Sequence, residues 1–170
     1  MKQTLKYIYQ ILLDNQKFSE SKHSLTLTLS SAVIVFSATF LSHKNLVVVS
    51  ITSASMILSF VAMIYSFFAL SAKKVVIKKS KKIRDNYSLM YFKDISKFSV
   101  EDYLQAIIKD YGFPKSYKPD SMDYDLAKQI ISTSIVTDRK FKFFNYSITF
   151  MVIAIIFLVI TVSLVGGLNA

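Results

Sequence analysis

YSITFMVIAIIFLVITVSLVGGLNA, residues Tyr146–Ala170, runs for twenty-five positions without a charged side chain. A helix needs about 20 apolar residues to cross roughly 30 Å of hydrocarbon. Between Ile148 and Leu168 stand fourteen Leu, Ile, Phe or Val residues. They favour insertion by roughly 4–8 kcal/mol before polar positions are counted. Working outward, Ser24–Ser42 and Asn45–Ala72 are likewise uncharged. The expected fold class is therefore an all-α membrane protein. It has three transmembrane helices, at 24–42, 45–72 and 146–168, and a small helical cytoplasmic domain between the second and third.

The residues between those last two stretches have the opposite character. From Lys73 to Lys142 there are sixteen Lys/Arg and nine Asp/Glu, a net +7 within a chain total of +10. Lys73–Arg84 alone carries seven basic residues and no acid, whereas the turn at His43–Lys44 carries one charge and the tail after Val165 none. The positive-inside rule then places residues 1–23 and 73–145 in the cytoplasm and the C-terminus in the periplasm. A cleavable signal peptide is not expected, because the residues before Ser24 include acids and no small-residue cleavage site follows.

Several chemistries are excluded by composition. Without Cys there are no disulfides, thiolate metal sites or cysteine nucleophiles, and His23 and His43 are the only histidines. No metal and no cofactor is expected. The three glycines, Gly112, Gly166 and Gly167, form no phosphate loop, and neither a GxSxG elbow nor an HExxH is present. An enzyme is not expected, and the basic charge is read as topology rather than as a site for a nucleic acid polymer.

Periodicity supplies the rest. Leu5, Ile8, Ile11 and Leu12 share one side of a helix, read as an interfacial segment lying on headgroups before the first span. Ser99 followed by Glu101 and Asp102 predicts an N-cap and a helix over Val100–Tyr111 that stops at Gly112. Phe113–Asp120 reads as a loop. A second helix opens near Asp120–Ser121 and nothing breaks it before the third span, where Gly166–Gly167 should end it. The acid pairs Glu101/Asp102 and Asp123/Asp125 are read as helix-capping groups rather than as a cation site.

The first two spans are rich in Ser and Thr. Small residues four apart, such as Ser24/Thr28/Ala32, Ser55/Ser59 and Ala62/Ser66, allow helices to approach closely. Hydroxyls could otherwise bond one turn back in their own helix, or line a wettable path.

The candidate binding residues are Arg84, Asn86, Phe92, Asp94, Tyr103, Gln129, Arg139 and Lys140, with Tyr91 and Lys93 beside them. Aromatic faces, cations and amides suit a nucleotide. The same cations could instead meet lipid headgroups. Asn86-Tyr-Ser-Leu-Met-Tyr-Phe92-Lys-Asp94-Ile95, then Ser99-Val-Glu-Asp-Tyr103-Leu, resembles a block of the Pycsar-type transmembrane effectors of bacterial anti-phage defence. Asp125-Leu-Ala-Lys-Gln129-Ile130, Arg139-Lys140-Phe141 and Glu20-Ser21-Lys22-His23-Ser24 are similar to further segments of that family, over roughly residues 18–165. Glu20, His23, Tyr91 and Lys93 depart from its usual residues.

The resemblance implies a cyclic pyrimidine nucleotide (cCMP or cUMP) as activating ligand, made by a partner cyclase. It implies an oligomeric effector that impairs the integrity of the bacterial inner membrane in abortive infection. The competing expectation is a ligand-independent membrane scaffold or holin-like pore former whose basic block only binds anionic lipid.

Overall fold

The structure, a computed structural model, describes residues 1–71, 87–114 and 116–168. All regular elements among these are helices: α1 (Lys2–Ala38), α2 (Leu46–Leu70), α3 (Phe92–Ile95), α4 (Val100–Asp110) and α5 (Ser121–Leu168). The chain divides into two compact units. One comprises Met1–Ser19 and Lys73–Lys140, the other Glu20–Ala72 and Phe141–Ala170. Helices α1 and α5 contribute residues to both.

The first unit is built like a water-soluble domain. Leu5, Ile8 and Leu12 are wholly buried in one cluster with Ile95, Phe98, Leu104, Ile107, Ile130 and Ile131. The apolar side of residues 5–12 is therefore core, not the headgroup-facing surface that its periodicity suggested. An amphipathic face records that something apolar covers it, and here protein does so. Lys2 and Asp120 pair at 2.7 Å across an exposed edge of this unit.

Its helices start and stop where capping chemistry dictates. The Ser99 hydroxyl accepts from the Asp102 N–H at 3.2 Å and donates to the Asp102 carboxylate at 2.7 Å. At the far end of α4, Gly112 adopts φ +71°, a left-handed conformation that costs non-glycine residues. That turn lets the Phe113 N–H reach the Ile108 carbonyl at 3.0 Å, as in a Schellman closure. A reciprocal box opens α5: Asp120 Oδ1 accepts from the Asp123 N–H (3.0 Å) and Asp123 Oδ2 from the Asp120 N–H (3.2 Å). Asp102 and Asp123 are thus engaged as caps.

The second unit has the reverse polarity. On α2 the buried residues are Val48, Thr52, Ser55, Ser59, Ala62, Ser66 and Ala69, a small-residue seam. It meets α5 through Ser55 Oγ donating to the Ala154 carbonyl (2.7 Å), Ser66 and Ser147 hydroxyls 2.8 Å apart, and Ser147 donating to the Ala62 carbonyl (2.7 Å). Large apolar side chains such as Val35, Phe36, Ile57, Phe60, Phe67, Ile156 and Val159 point outward.

Other hydroxyls, on Thr26, Thr28, Ser31, Ser50 and Ser53, bond to the carbonyl four residues back. The close-approach residues on α1 differ from those expected. Thr26, Ser30 and Ser37 are buried, while Ser24, Thr28 and Ala32 are exposed.

Among the described residues, two helices are long and apolar enough to cross a membrane, Leu46–Leu70 and the apolar part of Ser121–Gly167. The expected first span falls short of that standard. Its helix ends at Ala38 in a turn over 39–42, so eighteen residues ending there include Lys22 and His23 as well as several hydroxyls. The junction from α5's polar part to its apolar part is unbroken, as the lack of Gly and Pro predicts. Gly166 and Gly167 lie within α5 rather than closing it.

Candidate functional site

Arg84 and Asn86 lie outside the described residues; of the other six candidates, Phe92 and Asp94 lie on α3, Tyr103 on α4, and Gln129, Arg139 and Lys140 on α5. Tyr103 is fully buried, and its hydroxyl donates to the Leu89 carbonyl at 2.9 Å. Burial drives its phenol pKa far upward, so it stays a neutral donor holding the 87–91 segment to the core. Asp94 accepts from the Ser88 N–H at 3.3 Å and pairs with Lys97 at 2.9 Å. Burial alone would raise its pKa. The bonds from Lys97 and Ser88 and the nearby lysine charges outweigh that and hold the carboxyl below its usual range.

Phe92 is half-buried beside Tyr91, ring centroids 4.8 Å apart, and packs on the same core. Gln129 is exposed on α5, Arg139 half-buried and Lys140 buried. Gln129 and Arg139 stand about 15 Å apart along the helix axis.

The first unit presents a cleft of about 540 Å³, and none of those six lines it. This is within the roughly 300–1,000 Å³ usual for small-molecule sites. Leu104 and Ile108, one turn apart on α4, supply its apolar side. On the same helix Glu101, Gln105 and Lys109 recur every four residues, giving a carboxylate, an amide and an ammonium at successive turns of about 5.4 Å. Glu101, Gln105 and Lys109 are exposed, and Lys109 makes no ion pair among the described residues.

Phe113, Tyr117 and Tyr124 supply the aromatic side, with Pro119 between the last two. Each is placed by a local device. Phe113 is turned back by the Gly112 closure. Tyr117 sits in a turn whose N–H reaches the Pro114 carbonyl at 2.8 Å, and its hydroxyl donates to Asp123 at 2.9 Å. That bond, with burial and the charges of Asp123 and Asp120, pushes the Tyr117 phenol pKa up. Tyr124 rides the first turn of α5, its N–H bonded to the Asp120 carbonyl at 3.1 Å. By sequence, residues 113–120 read as a loop. The signal that could have revealed a site was the three aromatics at 113, 117 and 124 following Glu101, Gln105 and Lys109 at one-turn spacing.

In the second unit, Lys22 Nζ lies 5.4 Å and 5.0 Å from the ring centroids of Phe141 and Phe144, and His23 packs edge-on to Phe144 at 5.8 Å. Such contacts shield an ammonium with apolar rings. A wholly apolar recess of about 300 Å³, bordered by Ile34, Met56 and Phe60, offers no group to recognise a polar ligand.

Among the described residues these features define an all-helical membrane-associated protein with a compact polar unit that carries a cleft combining charge, amide and aromatic rings. Residues 4–167 match the family model described as the Pycsar effector protein domain, PycTM. The chain belongs to that family, and membership links it to a cyclic-nucleotide signal and to anti-phage defence. No curated protein and no solved structure matches it.

Proposed function

We propose that this chain is a non-enzymatic effector activated by a cyclic pyrimidine mononucleotide, cCMP or cUMP, supplied by a partner cyclase. The unit comprising Met1–Ser19 and Lys73–Lys140 senses the nucleotide. A homo-oligomer of the chain then breaches the bacterial inner membrane, and the infected cell stops growing. The observation that carries this reading is the family match over nearly the whole chain. The outward-facing apolar side chains and inward-facing hydroxyls of the other unit support it, since lipid rewards that inverted arrangement.

Three spans, 24–42, 45–72 and 146–168, cross the bilayer, with the N-terminus and 73–145 cytoplasmic and the C-terminus periplasmic. The helical part of the first span ends at Ala38, so its crossing shifts from 24–42 toward Glu20–Ala38, which extends about 28 Å, and the Phe141 and Phe144 rings beside Lys22 lower the cost of that lysine's charge. Because α1 and α5 each contribute to both units, they are two covalent routes from sensing to damage, beside the crossing at Ala72–Lys73. A ligand can favour only the state it binds better, so the cleft must differ between resting and active forms.

Liposomes carrying the purified chain and a trapped dye test this. Leakage should follow addition of cCMP or cUMP and be absent without it. Equal leakage without nucleotide would leave the ligand-free pore former as the better account.

A further inference from the structure

We propose that the cleft between α4 and Phe113, Tyr117 and Tyr124 is the nucleotide site, and that it selects ligands bearing a single negative charge. The inference rests on the reading that this unit senses a nucleotide. Phe113, Tyr117 and Tyr124 offer faces on which a flat heteroaromatic ring stacks, an interaction that needs no base-specific hydrogen bond. Lys109 pairs with the phosphate, being exposed, unpaired among the described residues and on the cleft wall. Gln105, one turn away, both donates and accepts, and reaches sugar hydroxyls or a base edge.

Glu101 sets the charge rule. It stands on the same helical stripe, about 12 Å from Lys109 along the axis, and the cleft wall so formed carries one cation and one anion. A cyclic phosphodiester has one charge, which Lys109 balances. An open monophosphate carries nearly two at neutral pH, and a triphosphate more. Among the described residues lining the cleft no further cation meets the second charge, and the Glu101 carboxylate repels it. Selection for the cyclic form then follows from charge count rather than from a contact to the ring closure itself. The Tyr117 hydroxyl, already committed to Asp123, holds its ring in place and need not touch ligand.

Calorimetric titration of the full-length protein in detergent tests this with cCMP, cUMP and linear CMP and UMP. Wild type should bind at least one cyclic nucleotide at least tenfold more tightly than its linear counterpart. Lys109→Glu and Tyr124→Ala should each weaken cyclic-nucleotide binding at least tenfold, with helix content by circular dichroism unchanged. Glu101→Gln should narrow the cyclic-to-linear ratio at least threefold. If Lys109→Glu and Tyr124→Ala bind like wild type while Arg139→Glu or Lys140→Glu does not, the cleft proposal is overturned and the sensing reading stands. If wild type binds no cyclic nucleotide, both are overturned.

Discussion

The two units of this chain solve packing in opposite ways. In the first, bulky Leu5, Ile8, Ile107, Ile130 and Ile131 are inside, and Lys6, Gln10, Gln105 and Lys128 face out. In the second, Ser55, Ser59, Ala62, Ser66 and Ser147 are inside, and Ile57, Phe60, Phe67 and Ile156 face out. Water drives large apolar groups together by about 25 cal/mol per Å² removed from it. Lipid supplies no such drive, so helices there associate through close contact of small residues and interhelical hydrogen bonds. One chain thus records two solvents in its side-chain sizes.

The comparison can be broken most sharply by deleting the same group from each unit. Ile130→Ala should cost about 2–5 kcal/mol, because a buried cavity is added to the lost transfer energy. Ile156, half-exposed on the outer face of α5, should cost only a few tenths of a kcal/mol when replaced by Ala. Urea-dependent proteolysis in detergent measures both, and equal costs would refute the division. Adding bulk reverses the ranking. Ala62→Leu enlarges a fully buried residue whose carbonyl accepts the Ser147 hydroxyl, and should destabilise by about 1–3 kcal/mol.

Hydrogen bonds and charge in the first unit give smaller effects. Tyr103→Phe keeps the buried ring but orphans the Leu89 carbonyl, costing about 1 kcal/mol. Asp94 contributes less, under about 1 kcal/mol, since its pair with Lys97 is partly exposed. The carboxyl is depressed in the folded state, so its contribution is present above the unfolded value of about pH 4 and is lost as pH falls through the folded one. The urea midpoint of Asp94→Asn should therefore differ from wild type at pH 6 and converge with it near pH 2.

Much of this architecture was legible in the residues. The Ser99 cap, the stop at Gly112 and the unbroken α5 all follow from local chemistry, which neighbouring segments do not override. Partners across space were less legible. Leu5, Ile8 and Leu12 show the same periodicity whether they face lipid headgroups or α4 and α5. The hydroxyls of α1 could have turned to either side, and which four-residue set went inward depended on the rotation of the whole helix. Tyr103 has the composition of a ligand-stacking ring, yet its depth in the core is set by Ile95, Phe98 and Ile107 around it. The cleft draws its walls from α4 and from Phe113, Tyr117, Pro119 and Tyr124, and only folding brings the carboxylate–amide–ammonium stripe to the aromatic side.

Because the chain has no cysteine, single introduced cysteines report solvent without background. Phe60→Cys and Ile156→Cys probe the outward faces of the second unit, Lys109→Cys and Tyr124→Cys the cleft of the first. In membranes opened to both sides, a charged, water-soluble maleimide should label positions 109 and 124 rapidly. It should label 60 and 156 only after detergent and denaturant are added. Labelling of 60 and 156 as fast as 109 would mean that both units face water, and the account of an effector embedded in the bilayer would be wrong.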